Sequence, residues 1–255
     1  MSRHLFVFKT HIFTQYIYEE YHKLCSCFGK QNVFITFDDT HQSWSTEYEE
    51  KLGIPKSSVL KPMQGKFESG PGVLLIHDND MKQYNEHHKE NKLTYETAWC
   101  ILHRMLGGEH AQYDYMWSIE NDVYCNGDWN VVVDKCKGHT CDLLAYMIGK
   151  MSWPSSAFER IYGWDIPRCD RINAFCAVCR LSKRLVEVMD CYLGERSGFI
   201  ELYPPTLCKN IGYKIDNFPE DIIGIMSWQK KTKKWMDEEA ARVGINHKLY
   251  HAVKM

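Results

Sequence analysis

The stretch "YDYMWSIENDVYCNGDW" (residues 113–129) places two carboxylates one residue apart at the end of an apolar run. If that run forms a strand, Glu120 and Asp122 project to the same side, with Cα atoms roughly 7 Å apart. Like charges this close oppose each other's ionisation, and a divalent cation relieves the conflict. Oxygen ligands suit Mg²⁺ or Mn²⁺, which complete their shells with water and substrate phosphates. The pair therefore predicts a metal site, with an acidic strand-to-loop transition as the alternative.

Two other acidic pairs follow apolar runs. "IHDND" gives Asp78 and Asp80 the same spacing at the end of another run, and "FDDT" contains the adjacent acids Asp38 and Asp39. Adjacent residues of a strand face opposite sides, so the second pair is less suited to hold one ion. Position along the chain favours the pair in "SIENDV" as the metal site.

These acids must be positioned by the strands and helices that alternate through the first half of the chain. Strands are predicted at "HLFVFKT", "NVFITFDD" and "GVLLIHDND", and a fourth strand is predicted in the stretch of residues 113–129. Helices are predicted at "FTQYIYEEYHKLCSCFG" and "TYETAWCILHRMLGG", the second with Thr94 as N-cap and Gly107 at its end. This order predicts an α/β fold with a mostly parallel central sheet flanked by helices.

Ligands bind beyond the carboxyl ends of such strands. Polar residues occupy all four ends, which predicts a shared cleft: Lys9, Thr10, Asp38, Asp39, Asp78, Asp80, Glu120 and Asp122.

The second half of the chain is less regular. "TCDLLAYMI" and "INAFCAVCRLS" predict strands, "SKRLVEVMDCYLG" predicts a helix, and "GFIELYPPTLCKNIGY" predicts a strand, a turn and a short helix. The tail from Phe218 has little periodicity before a short helix at "WMDEEAARVG". We predict one domain over residues 1–255, with a nucleotide-sugar-binding half (about 1–129) and an acceptor-binding and catalytic half (about 130–255).

Composition excludes several other classes of protein. With 44% hydrophobic residues, 25% charged residues and a net charge of -2, the chain has no overall basic field for nucleic acid. Its basic run "QKKTKK" is either a solvated face or a phosphate contact. The N-terminal "HLFVFKTHIF" is too short and too polar for a membrane span, so no transmembrane segment is predicted. Eleven cysteines, odd in number and scattered through apolar segments, are typical of reduced thiols and predict a cytoplasmic protein.

Residues 113–129 resemble the DXD-type segment of nucleotide-sugar glycosyltransferases of the GT-A fold. More narrowly, the pattern W-x-x-E-x-D-V…G-x-W is similar to that of algal, fungal and large-DNA-virus transferases, including chlorovirus-type enzymes that build capsid glycans. "CDLLAY", "GFIELYPPTL" and "LYHAVK" extend the likeness, in order, over residues 4–255. The resemblance implies a metal-dependent transferase that moves a sugar from a UDP-sugar, with UDP-xylose among the donors, to a glycan or glycoprotein acceptor. A viral origin would place it in the host cytosol.

The resemblance also implies roles for individual residues. Asp122 would be a direct ligand of the Mn²⁺ or Mg²⁺ that bridges the donor diphosphate. Glu120 replaces the more usual first Asp, so its longer side chain contacts either the ion, a water bound to it or the ribose. His251 in "LYHAVK" fits a C-terminal histidine ligand, with His247 as a competitor, and Lys254 would meet a phosphate oxygen. The implied nucleotide contacts are Lys9, Thr10, Asp38, Asp39 and Asp80.

Inverting transfer needs a base for the acceptor hydroxyl, and Glu201 is the candidate. An acid between apolar neighbours is costly unless it is used or paired. "ELYPPT" also resembles an E-x-x-x-x-T segment of some inverting transferases, with Thr206 in the matching place. The alternative is a half-exposed strand on which Glu201 points outward, in which case Asp165 and Asp170 are the reserve bases.

The aromatic stretch "MSWPSSAFERIYGWD" is predicted to bind the acceptor through Trp153, Trp164 and Asp165, because sugars stack on flat rings. The alternative is that these rings belong to the core. Two other functions also remain open. Paired acids on a parallel sheet are used by phosphohydrolases and nucleotidyltransferases, and a protein without catalytic activity would bind sugar or nucleotide alone.

Overall fold

The computed structural model of the protein describes residues 2–62, 64–67, 71–84, 95–149, 159–244 and 246–254. In these ranges the helices are α1 (Gln15–Phe28), α2 (Thr46–Leu52), α3 (Asp78–Met81), α4 (Tyr95–Met105), α5 (Trp129–Lys135), α6 (Lys183–Cys191), α7 (Tyr203–Ile211) and α8 (Lys233–Val243). The strands are β1 (His4–Thr10), β2 (Val33–Asp38), β3 (Val59–Leu60), β4 (Val73–Ile76), β5 (Tyr115–Glu120), β6 (Tyr124–Cys125), β7 (Leu143–Tyr146), β8 (Ile161–Tyr162), β9 (Phe175–Ser182), β10 (Ser197–Gly198), β11 (Ile215–Asn217), β12 (Ile223–Lys231) and β13 (Leu249–Val253).

Eight strands form the central sheet, in the order β11-β7-β9-β5-β1-β2-β4-β3. Neighbouring strands are parallel except where β9 pairs with β5 and β7. Two smaller sheets have the orders β12-β13-β6 and β10-β8. The expected α/β fold with a mostly parallel central sheet flanked by helices is confirmed.

Both faces of the central sheet are buried, which explains why its strands are continuous apolar runs. In β1, Phe6 and Phe8 enter one core, while Leu5 and Val7 enter the other. Helices α1 and α5 cover the first core, and α4, α6 and α7 cover the second. The carboxyl ends of the parallel strands consequently meet along one edge, where Lys9 of β1 is in register with Glu120 of β5.

One acidic pair does not lie at a strand end. β4 ends at Ile76, and the His77 side chain then accepts a hydrogen bond from the Asn79 N–H to begin α3. Asp78 and Asp80 lie in this short helix. The prediction that they end a strand is wrong, because the side-chain cap at His77 starts a helix before the strand can continue.

The segment around Glu201 also differs from its prediction. Only Ser197–Gly198 forms a strand, and two prolines in the first turn of α7 favour helix immediately afterwards. Glu201 lies in the intervening turn and is 3% exposed. The alternative in which Glu201 points outward from a half-exposed strand is therefore wrong.

The C-terminal tail contains two strands that its sequence did not reveal. β13 pairs with β12 on one side and with β6 on the other, and all five of its residues are buried. Five buried residues in a row show no alternation, which removes the usual sequence signal of a strand. The N–H of Val253 donates to the carbonyl of Asp122 at 2.9 Å, so this strand ends beside β5.

No helix within the described ranges has both the length and the apolar character needed to cross a bilayer.

Candidate active site

Three side chains converge at the end of β5. A ligand atom from each of Glu120, Asp122 and His251 lies within 4.8 Å of the others. His251 Nε2 is 3.3 Å from Asp122 Oδ1 and 3.7 Å from Glu120 Oε2. The acids come from the end of β5 and the histidine from β13, so the set exists only because the C-terminal strand folds back onto the sheet edge.

The backbone fixes the orientation of His251. Its Nδ1 lies 3.1 Å from the carbonyl oxygen of Ser227, and because a carbonyl only accepts, Nδ1 donates the proton. Nε2 is thereby directed at the two acids. Metal-ligating histidines are commonly held in this way through their other nitrogen. The ring is 3% exposed and packs edge-on against Phe175 at a centroid distance of 5.0 Å.

The charge balance of Asp122 favours an ionised carboxylate. Burial would raise its pKa, but the hydrogen bond and charge of His251, with a smaller contribution from Lys230, lower the pKa below the ordinary Asp value. A divalent cation between His251 Nε2 and the acids would stabilise the charged carboxylate in the same way. Two carboxylates and an imidazole nitrogen are a suitable ligand set for such a cation.

Lys9 is buried against Glu120. Its Nζ lies 3.1 Å from Glu120 Oε1, and its side chain is 2% exposed. The ammonium group also lies 5.9 Å from the centre of the Trp99 ring. One oxygen of Glu120 thus faces Lys9 while the other faces His251, an arrangement that fixes the carboxylate. The structure places Lys9 as a partner of Glu120 rather than in an open nucleotide pocket.

Thr10, predicted to contact the nucleotide, is also buried. Its hydroxyl accepts a hydrogen bond from the Asn121 amide at 3.1 Å and donates to the carbonyl of Ile12 at 2.5 Å. Asn121 is the residue between the two acids, and it lies with Asp122 in the turn after β5, so the strand alternation expected for residues 120–122 ends at Glu120. Thr10 therefore anchors the backbone that carries the acids.

The other predicted nucleotide contacts lie farther along the same edge, after β2 and β4. Asp38 Oδ1 accepts the N–H of Thr40 at 3.0 Å. Asp39 Oδ1 is buried with no hydrogen-bond partner in the described part of the chain. Burial raises the pKa of Asp39, His77 and Lys61 oppose that rise, and Asp38 and Asp80 add to it.

Glu201 occupies the other side of the β5 end. Its Oε1 accepts the backbone N–H of Cys176 at 3.4 Å, and its Oε2 has no partner among the described residues. Burial and the charge of Glu120 raise the pKa of Glu201 to about 8, against the opposing effects of the Cys176 N–H and Lys9. A raised pKa and an unused oxygen are properties of a general base.

Glu96 is a buried acid that the sequence reading missed. It is 3% exposed on α4, and its Oε1 lies 3.5 Å from the N–H of Gly198, three residues before Glu201. Burial raises its pKa to about 8. Its spacing could have revealed it, because Glu96, Trp99 and His103 fall on one helical stripe whose other members are buried.

The two predicted acceptor residues in the described ranges do not lie beside Glu201. β8 and β10 run antiparallel with Tyr162 opposite Ser197, so the chain after β8 and the chain after β10 diverge. The Arg196 guanidinium accordingly lies over Trp164, 4.9 Å from the centre of the Trp164 ring, and Asp165 is exposed. Trp153 lies outside the described residues.

The two C-terminal histidines have different partners, and Lys254 lies at the surface. His247 Nδ1 accepts the N–H of Asp128 at 2.7 Å, whereas His251 faces the acids. Lys254 is exposed, and its N–H bonds to the carbonyl of Lys231 at 2.7 Å. The basic run "QKKTKK" covers the end of β12 and the start of α8, and Lys230 within it acts on Asp122.

No protein-family model matches the chain, and no curated protein matches its sequence. Among solved structures, an active-site mutant of LgtC is 9% identical, covering 98% of this chain and 87% of that chain with a TM-score of 0.48. Mouse xyloside xylosyltransferase 1 is 8% identical, covering 98% and 97%, with a TM-score of 0.43. A cytidylyltransferase from Leptospira borgpetersenii is 11% identical, covering 86% and 76%, with a TM-score of 0.41.

These neighbours have folds of the nucleotide-sugar-transferase type, and glycosyltransferases and cytidylyltransferases are both among them. With TM-scores below 0.5 they assign neither a family nor a reaction to this chain. None of the three is an algal, fungal or viral capsid-glycan enzyme, and that part of the sequence resemblance stays a prediction.

Proposed function

We propose that the protein is a divalent-metal-dependent glycosyltransferase. It would move a sugar from a UDP-sugar to a hydroxyl of a glycan or glycoprotein acceptor, with inversion at the anomeric carbon. The observation that carries this proposal is the convergence of Glu120, Asp122 and His251, with His251 held by a backbone carbonyl so that Nε2 faces both acids.

Asp122 and His251 would hold Mn²⁺ or Mg²⁺, and Glu120 would join them directly or through water. The ion supplies Lewis-acid stabilisation of the leaving diphosphate. Lys9 keeps Glu120 in place through the 3.1 Å ion pair. Lys230 adds positive charge that acts on Asp122. Lys254 would meet a phosphate oxygen of the donor.

Glu201 would act as the base. The acceptor hydroxyl transfers its proton to Glu201 while the oxygen attacks the anomeric carbon and the bond to the diphosphate breaks. A base with a raised pKa holds that proton well near neutral pH. The Cys176 N–H orients one carboxyl oxygen and leaves the other for the acceptor.

The substitution Glu201→Gln tests this assignment. We expect binding of UDP and Mn²⁺, measured by calorimetry, to stay unchanged, while transfer falls about 10²- to 10⁴-fold because the general base is lost. In the unsubstituted protein, transfer should rise with pH as Glu201 ionises, and UDP binding should lack this limb. Glu195→Gln, an exposed acid in the loop before β10, is the matched control and should retain full transfer.

Unchanged transfer in the Glu201→Gln variant would remove Glu201 as the base. Release of pyrophosphate from a nucleoside triphosphate, without turnover of any UDP-sugar, would instead identify a nucleotidyltransferase. The donor is identified by a thermal-shift screen of UDP-sugars, UDP-xylose among them, with and without Mn²⁺, since ligands that bind only the folded state raise its apparent stability.

A further inference from the structure

A cavity of about 400 Å³ lies at the carboxyl ends of β7 and β11, next to the start of β12. The lining residues used below are Tyr146, Met147, Asn217, Phe218, Glu220 and Ile223. No role was predicted for any of them, and the cavity lies apart from the acids at the end of β2 and in α3.

The order of the strands places this cavity beyond the diphosphate position. β5, which ends at Glu120 two residues before Asp122, is followed in the sheet by β9 and then by β7. Neighbouring strands are about 4.8 Å apart, so the end of β7 lies about 10 Å from the end of β5. Of the predicted nucleotide contacts, Asp38 ends β2 and Asp39 follows it, and β2 lies on the other side of β5, beyond β1. A donor extending from them through the metal position would point its sugar toward the cavity.

The first residues of β9 connect the cavity with the proposed base and with the histidine. The Phe175 ring packs edge-on against both Tyr146 and His251, at centroid distances of 6.4 and 5.0 Å. The next residue, Cys176, donates its N–H to Glu201. Phe175 thus contacts Tyr146 of the cavity wall, and the residue after it bonds to Glu201. Trp164, by contrast, lies at the far end of the β8–β10 pair.

The lining has the chemistry of a sugar site. Tyr146 and Phe218 supply aromatic surface, as carbohydrate C–H faces require. Asn217 Oδ1 accepts the N–H of Ile148 at 3.2 Å, which fixes the amide and leaves its nitrogen to donate. Among the lining residues only Glu220 is charged, and it is exposed and makes no ion pair within the described ranges. A carboxylate there accepts hydrogen bonds from hydroxyls and repels an anionic sugar.

The backbone at the cavity is also unusual. Met147 has a φ of 52°, in the left-handed region that a long side chain rarely adopts. Such conformations cluster at ligand-binding sites, where the surrounding structure holds them in place.

From these observations we infer that the cavity binds an uncharged sugar unit of the acceptor, with Asn217 and Glu220 as its polar contacts. This inference rests on the proposed function. It adds the location of the acceptor and its class, a neutral rather than an anionic saccharide.

The test uses the full chain saturated with UDP and Mn²⁺, and ligand-observed NMR titrations with methyl β-D-glucopyranoside, methyl β-D-xylopyranoside and methyl β-D-glucuronide. The neutral glycosides are expected to bind more tightly than the glucuronide. Asn217→Asp keeps the oxygen that accepts the Ile148 N–H and replaces the amide donor with a charged acceptor. Binding of the neutral glycosides should therefore weaken about 2- to 10-fold. Glu220→Gln should strengthen binding of the glucuronide about 5-fold.

Glu109→Gln, an exposed acid at the opposite edge of the sheet, is the control and should change neither value. The inference is overturned if the neutral glycosides do not bind, or if both cavity variants bind all three probes like the unsubstituted protein. It is also overturned if the variants weaken UDP-sugar hydrolysis as much as glycoside binding, because the cavity would then hold the donor sugar. Glycoside binding to a protein that turns over no UDP-sugar would contradict the proposed function alone.

Discussion

Acids follow β5 and β2 at the same edge of the sheet, and the surroundings of the two strand ends differ. Beyond β5, Asp122 faces the imidazole of His251 at 3.3 Å, and Glu120 is paired with a buried lysine. Beyond β2, Asp38 bonds to a nearby backbone N–H, and Asp39 has a buried oxygen without a partner in the described part of the chain. Among the described residues, only the acids after β5 form a group of three possible metal ligands, with His251 coming from a distant part of the chain.

This difference shifts the pKa values of Asp122 and Asp39 in opposite directions. Burial acts on both Asp122 and Asp39, but His251 lowers the pKa of Asp122, whereas the pKa of Asp39 stays raised despite His77 and Lys61. An acid at a strand end thus becomes a candidate metal ligand when a second segment stabilises its charged form. Acidic spacing alone does not distinguish the two ends.

Substituting one acid at each end should give the largest contrast. Asp122→Ala removes a proposed ligand, and we expect Mn²⁺-dependent turnover of a UDP-sugar to fall by at least about 100-fold. Loss of a residue that only holds a ligand in place costs up to about 100-fold, and loss of a direct ligand should cost at least as much. Asp38→Ala removes at most a hydrogen bond to the nucleotide, so turnover should fall only about 2- to 10-fold. Steady-state rates at saturating Mn²⁺ measure both. Equal losses in the two variants would contradict the distinction between the strand ends.

The two C-terminal histidines provide a matched pair. We expect His251→Ala to weaken Mn²⁺ binding about 10- to 100-fold, because the nitrogen directed at both acids is lost. His247→Ala should leave Mn²⁺ affinity within about 2-fold, since this ring bonds to the Asp128 N–H instead. Calorimetric titration with Mn²⁺ separates them, and a larger loss for His247→Ala would move the metal site away from β13.

The smallest effect concerns stability at the end of β2. Because the folded-state pKa of Asp39 is raised above its ordinary value, the folded protein keeps a proton that the unfolded chain releases, and stability falls as the pH rises through that window. Asp39→Asn cannot ionise, so its Tm at pH 7 should exceed that of the unsubstituted protein by up to about 2 °C, and the difference should vanish near pH 3.

Asp122→Asn should show the opposite sign. The lowered pKa of Asp122 contributes stability that is present above the ordinary Asp value and lost as the pH falls, so this variant should be less stable at pH 7. Thermal unfolding at both pH values checks the pair. Shifts of the same sign would mean that the two acids have similar surroundings after all.

Much of the central sheet was predictable because its strands are long apolar runs with clear ends. β1 has the predicted bounds, and β2, β5 and β9 lie within theirs. The predictions failed where neighbouring residues were decisive. A histidine cap turned "HDND" into a helix, and the strand predicted at the start of "GFIELYPPTLCKNIGY" is a turn, which leads into the predicted short helix. The late strands β12 and β13 were missed because β13 is short and buried throughout, without alternation.

The candidate site was likewise predictable from the sequence only in part. The spacing of Glu120 and Asp122 and the insertion of Glu201 among apolar residues were visible in the chain itself, because each depends on neighbours within a few positions. The choice of His251 over His247, the pairing of Lys9 with Glu120 and the cavity beside β7 were decided only by the tertiary structure. Each of these needs residues more than 70 positions apart to meet, and no local pattern specifies which distant segments pack together.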